Sequence, residues 1–120
     1  MEWMKVIAQE AREQLEANWR ENQPLKGTGR EKDYQPFVKL FIPWASGTWL
    51  LTEKEPGASL AFGLCDLGMG CPELGYVCLE ELYDVTGPGG LRVEQDIHFK
   101  PSMTLAGYAK QSMRDGYIPA

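Results

Sequence analysis

The hydrophobic positions near the start of the chain follow a helical spacing. Apolar residues recur three or four positions apart over residues 3–22, and charged residues fall between them. Such a stripe is typical of an amphipathic helix that packs one face against a core. Pro24 ends the pattern, because the residue before a proline disfavours helical backbone. We therefore predict one long helix over residues 3–22.

Short runs of bulky residues in the middle of the chain predict β-strands. These runs are rich in Val, Leu, Phe, Trp and Tyr, and glycine or proline bounds them. They cover residues 37–42, 48–53, 59–65 and 74–77. Pro56-Gly57 lies between the second and third runs and is a turn signal, so these two strands are expected to form a β-hairpin.

Helical spacing returns twice in the second half of the chain. Residues 79–85 suit a short helix with Cys78 at its N-cap position, where a serine or threonine would cap better. Residues 105–115 suit a longer helix, for which Thr104 or Ser102 supplies the cap. The pattern thus predicts a middle and a C-terminal helix.

Residues 91–99 alternate between apolar and polar side chains, which predicts a further strand. The order of elements is that of an α+β fold: a mainly antiparallel sheet of four or five strands, with the three helices packed against one face. We expect one domain over residues 1–120, in which the polar, glycine- and proline-containing residues 22–36 form a flexible loop.

The composition is that of a globular protein, with 43% hydrophobic and 24% charged residues in 120. The net charge of −5 disfavours unaided nucleic-acid binding and is compatible with a basic protein partner. No apolar run reaches the roughly 20 residues of a membrane span, and the N-terminus lacks the layout of a signal peptide. With three cysteines and no export signal, we expect a cytoplasmic protein with reduced thiols.

The segment AFGLCDLGMGCPELGYVCLEELYD, residues 61–84, combines glycines, cysteines and acids. Its glycines predict a tight turn between two strands, and Asp66 can accept hydrogen bonds from backbone amides there. We expect this loop to contact a partner through Asp66, Met69 and Glu73. The alternative is a loop that only packs on the core.

Trp44 follows Pro43 and is the fourth candidate for binding. An exposed tryptophan can serve as an aromatic platform for a protein or a base. Packing in the core or at its rim is the alternative, because tryptophan is highly buried on average.

No metal or cofactor is expected from the cysteine pattern. Five residues lie between Cys65 and Cys71 and six between Cys71 and Cys78, whereas structural zinc sites use tighter pairs. A catalytic alternative uses Glu94, Asp96 and His98, which share one face of the last predicted strand. Together with Asp66, these side chains could hold a metal ion or act as acid and base in a hydrolase.

Three long motifs carry a family resemblance. KLFIPWASGTWLLTE, AFGLCDLGMGCPELGYVCLEEL and GLRVEQDIHFKP, within residues 37–101, resemble a bacterial family of unknown function whose members are commonly labelled plasmid-related protein. The resemblance implies small intracellular proteins of plasmids and other mobile elements, with no assigned reaction. Cys78 and Gln95 depart from the family pattern, which usually has Ser and Arg at these positions.

We therefore expect a non-enzymatic accessory protein that binds a host or plasmid protein, with counter-defence against a nuclease as one role. The metal-dependent hydrolase described above is the first alternative. The second is weak nucleic-acid binding beside Trp44 through four basic residues: Lys26, Arg30, Lys32 and Lys39.

Overall fold

Five antiparallel strands form one sheet in the computed structural model, which describes residues 2–120. The strands are β1 (Val38–Phe41), β2 (Thr48–Lys54), β3 (Leu60–Asp66), β4 (Glu73–Cys78) and β5 (Glu94–Gln95), and their order in the sheet is β4-β3-β2-β1-β5. The helices are α1 (Gln9–Asn22), α2 (Leu79–Asp84) and α3 (Leu105–Asp115). The predicted α+β class, with N-terminal, middle and C-terminal helices, is confirmed.

The predicted N-terminal helix is divided in two. A 3₁₀ segment, Glu2–Val6, precedes α1, and the backbone of Ala8 between them is extended with ψ of 148°. The tighter 3₁₀ repeat places Trp3 and Val6 three residues apart on the same side, and both are buried. The apolar stripe therefore covers the core without a continuous α-helix.

The strand predicted over residues 91–99 is wrong for most of its length. Only Glu94 and Gln95 pair with β1, opposite Phe41 and Leu40. The chain then turns where Asp96 Oδ1 accepts a hydrogen bond from the backbone N–H of His98 at 2.9 Å. Val93 is buried, but Ile97 is 76% exposed, so the alternating pattern does not mark one buried face.

Helices cover both faces of the sheet, which corrects the expectation that they pack on one. Trp49 and Leu51 of β2 face α1 and α2, whereas Leu50 between them packs with Tyr108 of α3 and Leu64 of β3. Successive strand residues point to opposite faces of the sheet, so a run of apolar residues such as Trp-Leu-Leu is buried only if other elements pack on both faces. Because α3 supplies the second cover, the sheet is the middle layer of three.

A β-bulge in β2 decides where two buried charges lie. Leu51 pairs with Gly63 but Glu53 pairs with Phe62, so Thr52 is an extra residue in this strand. The extra residue reverses the alternation and turns Glu53 towards the α3 face and Lys54 towards α1. Glu53 and Lys54 are 2% and 1% exposed, so both charges need partners inside the protein.

Lys54 finds its partner on α1. Its Nζ donates to Glu16 Oε2 at 2.6 Å and to the Glu55 carbonyl oxygen at 2.9 Å. Burial raises the pKa of Glu16, but the hydrogen bond and the charge of Lys54 outweigh it, so that this pKa lies below its ordinary value of 4.5. The pair therefore links α1 to the end of β2 in a pH-dependent way.

We expect Glu16→Gln to reduce the pH dependence of stability. A carboxyl group whose pKa is lowered on folding stabilises the native state above its unfolded value, and this contribution is lost as the pH falls. The difference in free energy of unfolding between wild type and E16Q, measured by urea denaturation, should shrink as the pH falls below 4.5. Glu10→Gln, at an exposed position of α1, is the control, and a constant difference for E16Q would contradict the prediction.

None of the helices within residues 2–120 is both long enough and apolar enough to cross a membrane.

Candidate functional site

The connection between β3 and β4 is built by glycine and by Asp66. Gly68 and Gly70 have φ of 79° and 78°, a backbone region that other residues rarely adopt. Asp66 Oδ1 accepts from the N–H of Gly68 at 2.8 Å, as the sequence predicts, and Oδ2 accepts from the N–H of Ile118 at 3.2 Å. The carboxylate is 8% exposed, so Asp66 shapes the loop and fastens the C-terminal segment to it.

Apolar side chains of this loop and of β4 are exposed. Leu67 and Met69 are 58% and 74% exposed, and Leu74 and Tyr76 on β4 are 49% and 52% exposed. Neither Leu67 nor Leu74 is therefore buried against the core. Together with exposed Glu73, these residues lie on the edge strand and on the loop before it, and we name them the β4 edge surface.

Two grooves run along the β4 edge surface. One, of about 280 Å³, lies among Leu67, Met69 and Cys71, and the other, of about 340 Å³, extends to Tyr76. Both are lined by Cys65, Leu67 and Glu73, so the two grooves are continuous. The surface is therefore concave as well as apolar, which suits a bound side chain.

The backbone of β4 is free on one side. Within residues 2–120, β4 pairs with β3 alone and is the last strand of the sheet at this end. The strand is six residues long, carries Glu73 as its one charged residue, and contains no proline or lysine. Charged residues, prolines and a short length usually protect an edge strand from pairing with another chain. Because β4 has only one of these features, a single charge, its edge can accept an added strand.

The three thiols are free, and the structure separates their environments. Cys65 and Cys78 are half-buried and Cys71 is exposed. Burial and the negative charge of Glu73 raise the pKa of Cys65, which disfavours the thiolate needed for nucleophilic attack. No group of three or more His, Cys, Asp or Glu residues in the described part of the chain could hold a metal ion.

Trp44 is half-buried and lies against backbone. A Cβ atom built on Gly87 would fall 2.3 Å from Cδ2 of the Trp44 ring, so the ring is in direct contact with the glycine. The ring joins the β1–β2 connection to the segment after α2. This contact occupies part of the face that a partner would use.

The candidate catalytic residues lie in two separate places. A row of paired residues crosses the sheet from β5 to β3. Glu94 of β5 pairs with Phe41 of β1, Phe41 pairs with Thr48 of β2, and Thr48 pairs with Asp66 of β3. Three strand spacings of about 4.8 Å thus put Glu94 and Asp66 about 14 Å apart at the backbone. Asp96 forms an ion pair with Lys39 at 3.7 Å, and His98 is exposed.

The basic residues of the nucleic-acid alternative are mostly engaged with acids. Lys26 pairs with Glu53 at 3.2 Å, and Lys32 pairs with Glu21 at 3.1 Å. The ion pair of Lys39 with Asp96 neutralises a third positive charge. Arg30 is exposed. The four residues do not form a strip of uncompensated positive charge beside Trp44.

Comparison with known proteins identifies a family. The model of a family described as a protein of unknown function, DUF2958, matches residues 6–119. The chain belongs to the DUF2958 family. None of the curated proteins and none of the solved structures matches it. The resemblance to a family of unknown function is thus confirmed, and the association of this DUF2958 chain with plasmids stays a prediction.

Gln95 has a structural role in this DUF2958 chain. Its Oε1 accepts a hydrogen bond from the N–H of Ala8 at 2.9 Å, next to the start of α1. Arginine, which the resemblance places here, has no acceptor and cannot make this bond. The departure at Gln95 thus coincides with a link between β5 and the N-terminal segment.

A second candidate site in the DUF2958 chain has no counterpart among the sequence predictions. A pocket of about 270 Å³ lies between residues 26–34, β2, β3 and the start of α3, and Glu53 lines it. Glu53 Oε2 accepts from Asn22 Nδ2 and from Lys26 Nζ, both at 3.2 Å. Oε1 is buried and accepts no hydrogen bond from residues 2–120. The two adjacent charged residues at the end of β2, Glu53 and Lys54, are the signal that could have pointed to it.

Proposed function

We propose that this protein is a non-enzymatic binding module whose partner is a protein that adds an extended strand to β4. The observation that carries the proposal is the β4 edge surface, in which an unpaired strand edge lies beside exposed apolar side chains. In β-strand addition, backbone hydrogen bonds supply affinity, and pockets for alternate side chains supply specificity. The two continuous grooves provide such pockets.

Exposed acidic residues next to β4 indicate which charges a partner strand should carry. Glu80, Glu81 and Asp84 lie on α2, directly after β4, and all three are exposed. Neither these three nor Glu73 forms an ion pair within the described residues. A partner strand with alternate apolar residues and with lysine or arginine at its ends would complement both the grooves and the acids.

A role on a plasmid or other mobile element fits this chemistry. The resemblance implies such elements, and the net charge of −5 favours a basic target. Nucleases that act on DNA carry basic surfaces, because phosphate contacts require Lys and Arg. We propose counter-defence in the bacterial cytoplasm, by occupation of such a surface, as the role of the module.

Synthetic peptides of strand length test the β4 edge surface. One set alternates Val with Thr between terminal lysines, and a matched set carries glutamates at the ends. Titrations followed by amide NMR should show saturable shifts in β4 with the lysine peptides, at a Kd of about 10–100 µM. We expect the glutamate peptides to bind about tenfold more weakly, because they meet the acids of α2.

Two variants distinguish binding of the peptide at the β4 edge from non-specific binding elsewhere on the acidic protein. The double variant Leu74→Lys, Tyr76→Lys places gatekeeper charges on the edge and should abolish the shifts. Ile97→Lys is the matched control, because Ile97 is exposed beyond β5, at the opposite end of the sheet. Binding that survives the double variant, or dimerisation of wild type through β4 that excludes the peptides, would overturn the proposal.

A further inference from the structure

We propose that the pocket at Glu53 is a binding site for a small amine with an apolar body. The pocket shares Leu74 with the β4 edge surface, but its other lining residues lie outside that surface, and the proposal does not depend on the function proposed above. One buried carboxylate oxygen, the apolar lining of the pocket and the balance of its charges favour such a ligand.

Glu53 Oε1 is the acceptor that a ligand would use. A buried carboxylate oxygen without a hydrogen bond is costly, and most such atoms in proteins have a partner. The other oxygen of Glu53 is already shared between Asn22 and Lys26. Residues 2–120 supply no donor to Oε1, which has almost no solvent-accessible surface, while Glu53 lines an open pocket; a donor from a ligand in the pocket would therefore reach this oxygen after a small side-chain movement.

The neighbouring polar groups are engaged elsewhere. Lys26 Nζ lies 3.8 Å from the centre of the Phe62 ring and pairs with Glu53. Asp33 Oδ1 accepts from the N–H of Ala106 at the start of α3. The Tyr34 hydroxyl donates to Glu21 at 2.6 Å, and burial together with the Glu21 carboxylate raises the pKa of Tyr34, so that it stays a donor to Glu21. Within residues 2–120, Glu53 Oε1 is the buried side-chain oxygen of the lining that has no hydrogen-bond partner.

The remaining lining is apolar. Phe62, Leu74 and Leu105 contribute hydrophobic side chains, and the volume of about 270 Å³ suits a compact molecule with one ring. An apolar body would displace water from these side chains while its polar end reaches Glu53.

The charge balance favours a cation. The lining contains Glu31, Asp33 and Glu53 against Lys26 and Lys32, and Lys32 already pairs with Glu21 outside the lining, so negative charge is in excess. An ammonium group supplies both the donor that Oε1 accepts from and the missing positive charge. A neutral alcohol of the same shape supplies only the donor.

Titration of the full chain with 2-phenylethylamine and with 2-phenylethanol tests the assignment. Amide NMR should show saturable shifts at Glu53, Phe62 and Ala106 with the amine, at a Kd of about 1 mM. The alcohol should bind about tenfold more weakly, because it lacks the charge. Equal affinity for the two probes, or shifts that do not saturate, would contradict the proposal.

Three variants test whether the amine binds in the pocket at Glu53. Glu53→Gln should weaken amine binding about tenfold, because it removes the carboxylate charge. Ala106→Leu fills the pocket from an exposed position on α3 and leaves Glu53 in place, so it should block the amine even if E53Q folds poorly. Ala17→Leu, at an exposed position of α1, is the matched control and should bind as wild type does. Unchanged binding by A106L would exclude the pocket as the site.

Discussion

Replacing Gly63 with alanine is expected to destabilise the protein by about 3 kcal/mol, and to lower its Tm by about 10 °C. A Cβ atom at this position would lie 1.9 Å from the backbone oxygen of Leu50 and 2.9 Å from the Cα of Leu51. Both atoms belong to the backbone of β2, which pairs with β3 at Gly63, so a side-chain rotation cannot relieve the overlap. Chemical denaturation of G63A measures the loss.

Gly75→Ala is the matched control for this variant. Gly75 is the direct partner of Gly63 on β4, and an added Cβ would meet no atom within 4 Å. Its φ is not positive, so alanine is compatible with the backbone. We expect G75A to be neutral or to stabilise by about 0.5 kcal/mol, because glycine weakens a strand interior. Equal losses in the two variants would show that close strand approach at Gly63 is not the cause.

Replacing Asp66 with alanine has the second large expected effect, a loss of about 2–4 kcal/mol. The change removes both acceptors of one carboxylate, so that the N–H groups of Gly68 and Ile118 lose their partners. Hydrogen exchange at Gly68 and Ile118 should accelerate along with the fall in the free energy of unfolding, because both amides then open more often.

Asp66→Asn and Glu73→Ala separate this structural role from a role in binding. Asparagine keeps one carbonyl oxygen, so D66N should retain one of the two bonds and lose about half as much stability. Glu73 is exposed and accepts no hydrogen bond within residues 2–120, so E73A should leave stability unchanged. A D66A variant as stable as wild type would show that the loop does not depend on this carboxylate.

Local patterns were sufficient to predict most elements. The Thr104 side chain accepts from the N–H of Gly107 at 3.3 Å, so the predicted cap of α3 is confirmed. Cys78 is at the N-cap of α2 but forms no side-chain cap, as its weak capping ability predicts. Caps and turns depend on residues within a few positions of each other, so they can be predicted from a short stretch of sequence.

Long-range features were not predictable in the same way. β5 forms by pairing with β1, more than fifty residues earlier, so the alternation around Val93 did not show where this strand ends. The exposed edge of β4 depends on the order of strands in the sheet, so Leu74 and Tyr76 could not be recognised as surface residues. The bulge at Thr52, which turns Glu53 into its pocket, also depends on pairing with β3.

The two ends of the sheet are unequal, and this limits how copies of the chain could assemble. Growth of an open fibre needs a donor edge on one copy and an accepting edge on the next. β5 offers only two residues, whereas β4 offers six, so β5 cannot match β4 along a ladder. Pairing of β4 with β4 of a second copy would bury both long edges at once. The edges left exposed would then be the two short β5 strands. The fold thus admits a finite symmetric pair and resists polymerisation through its strands.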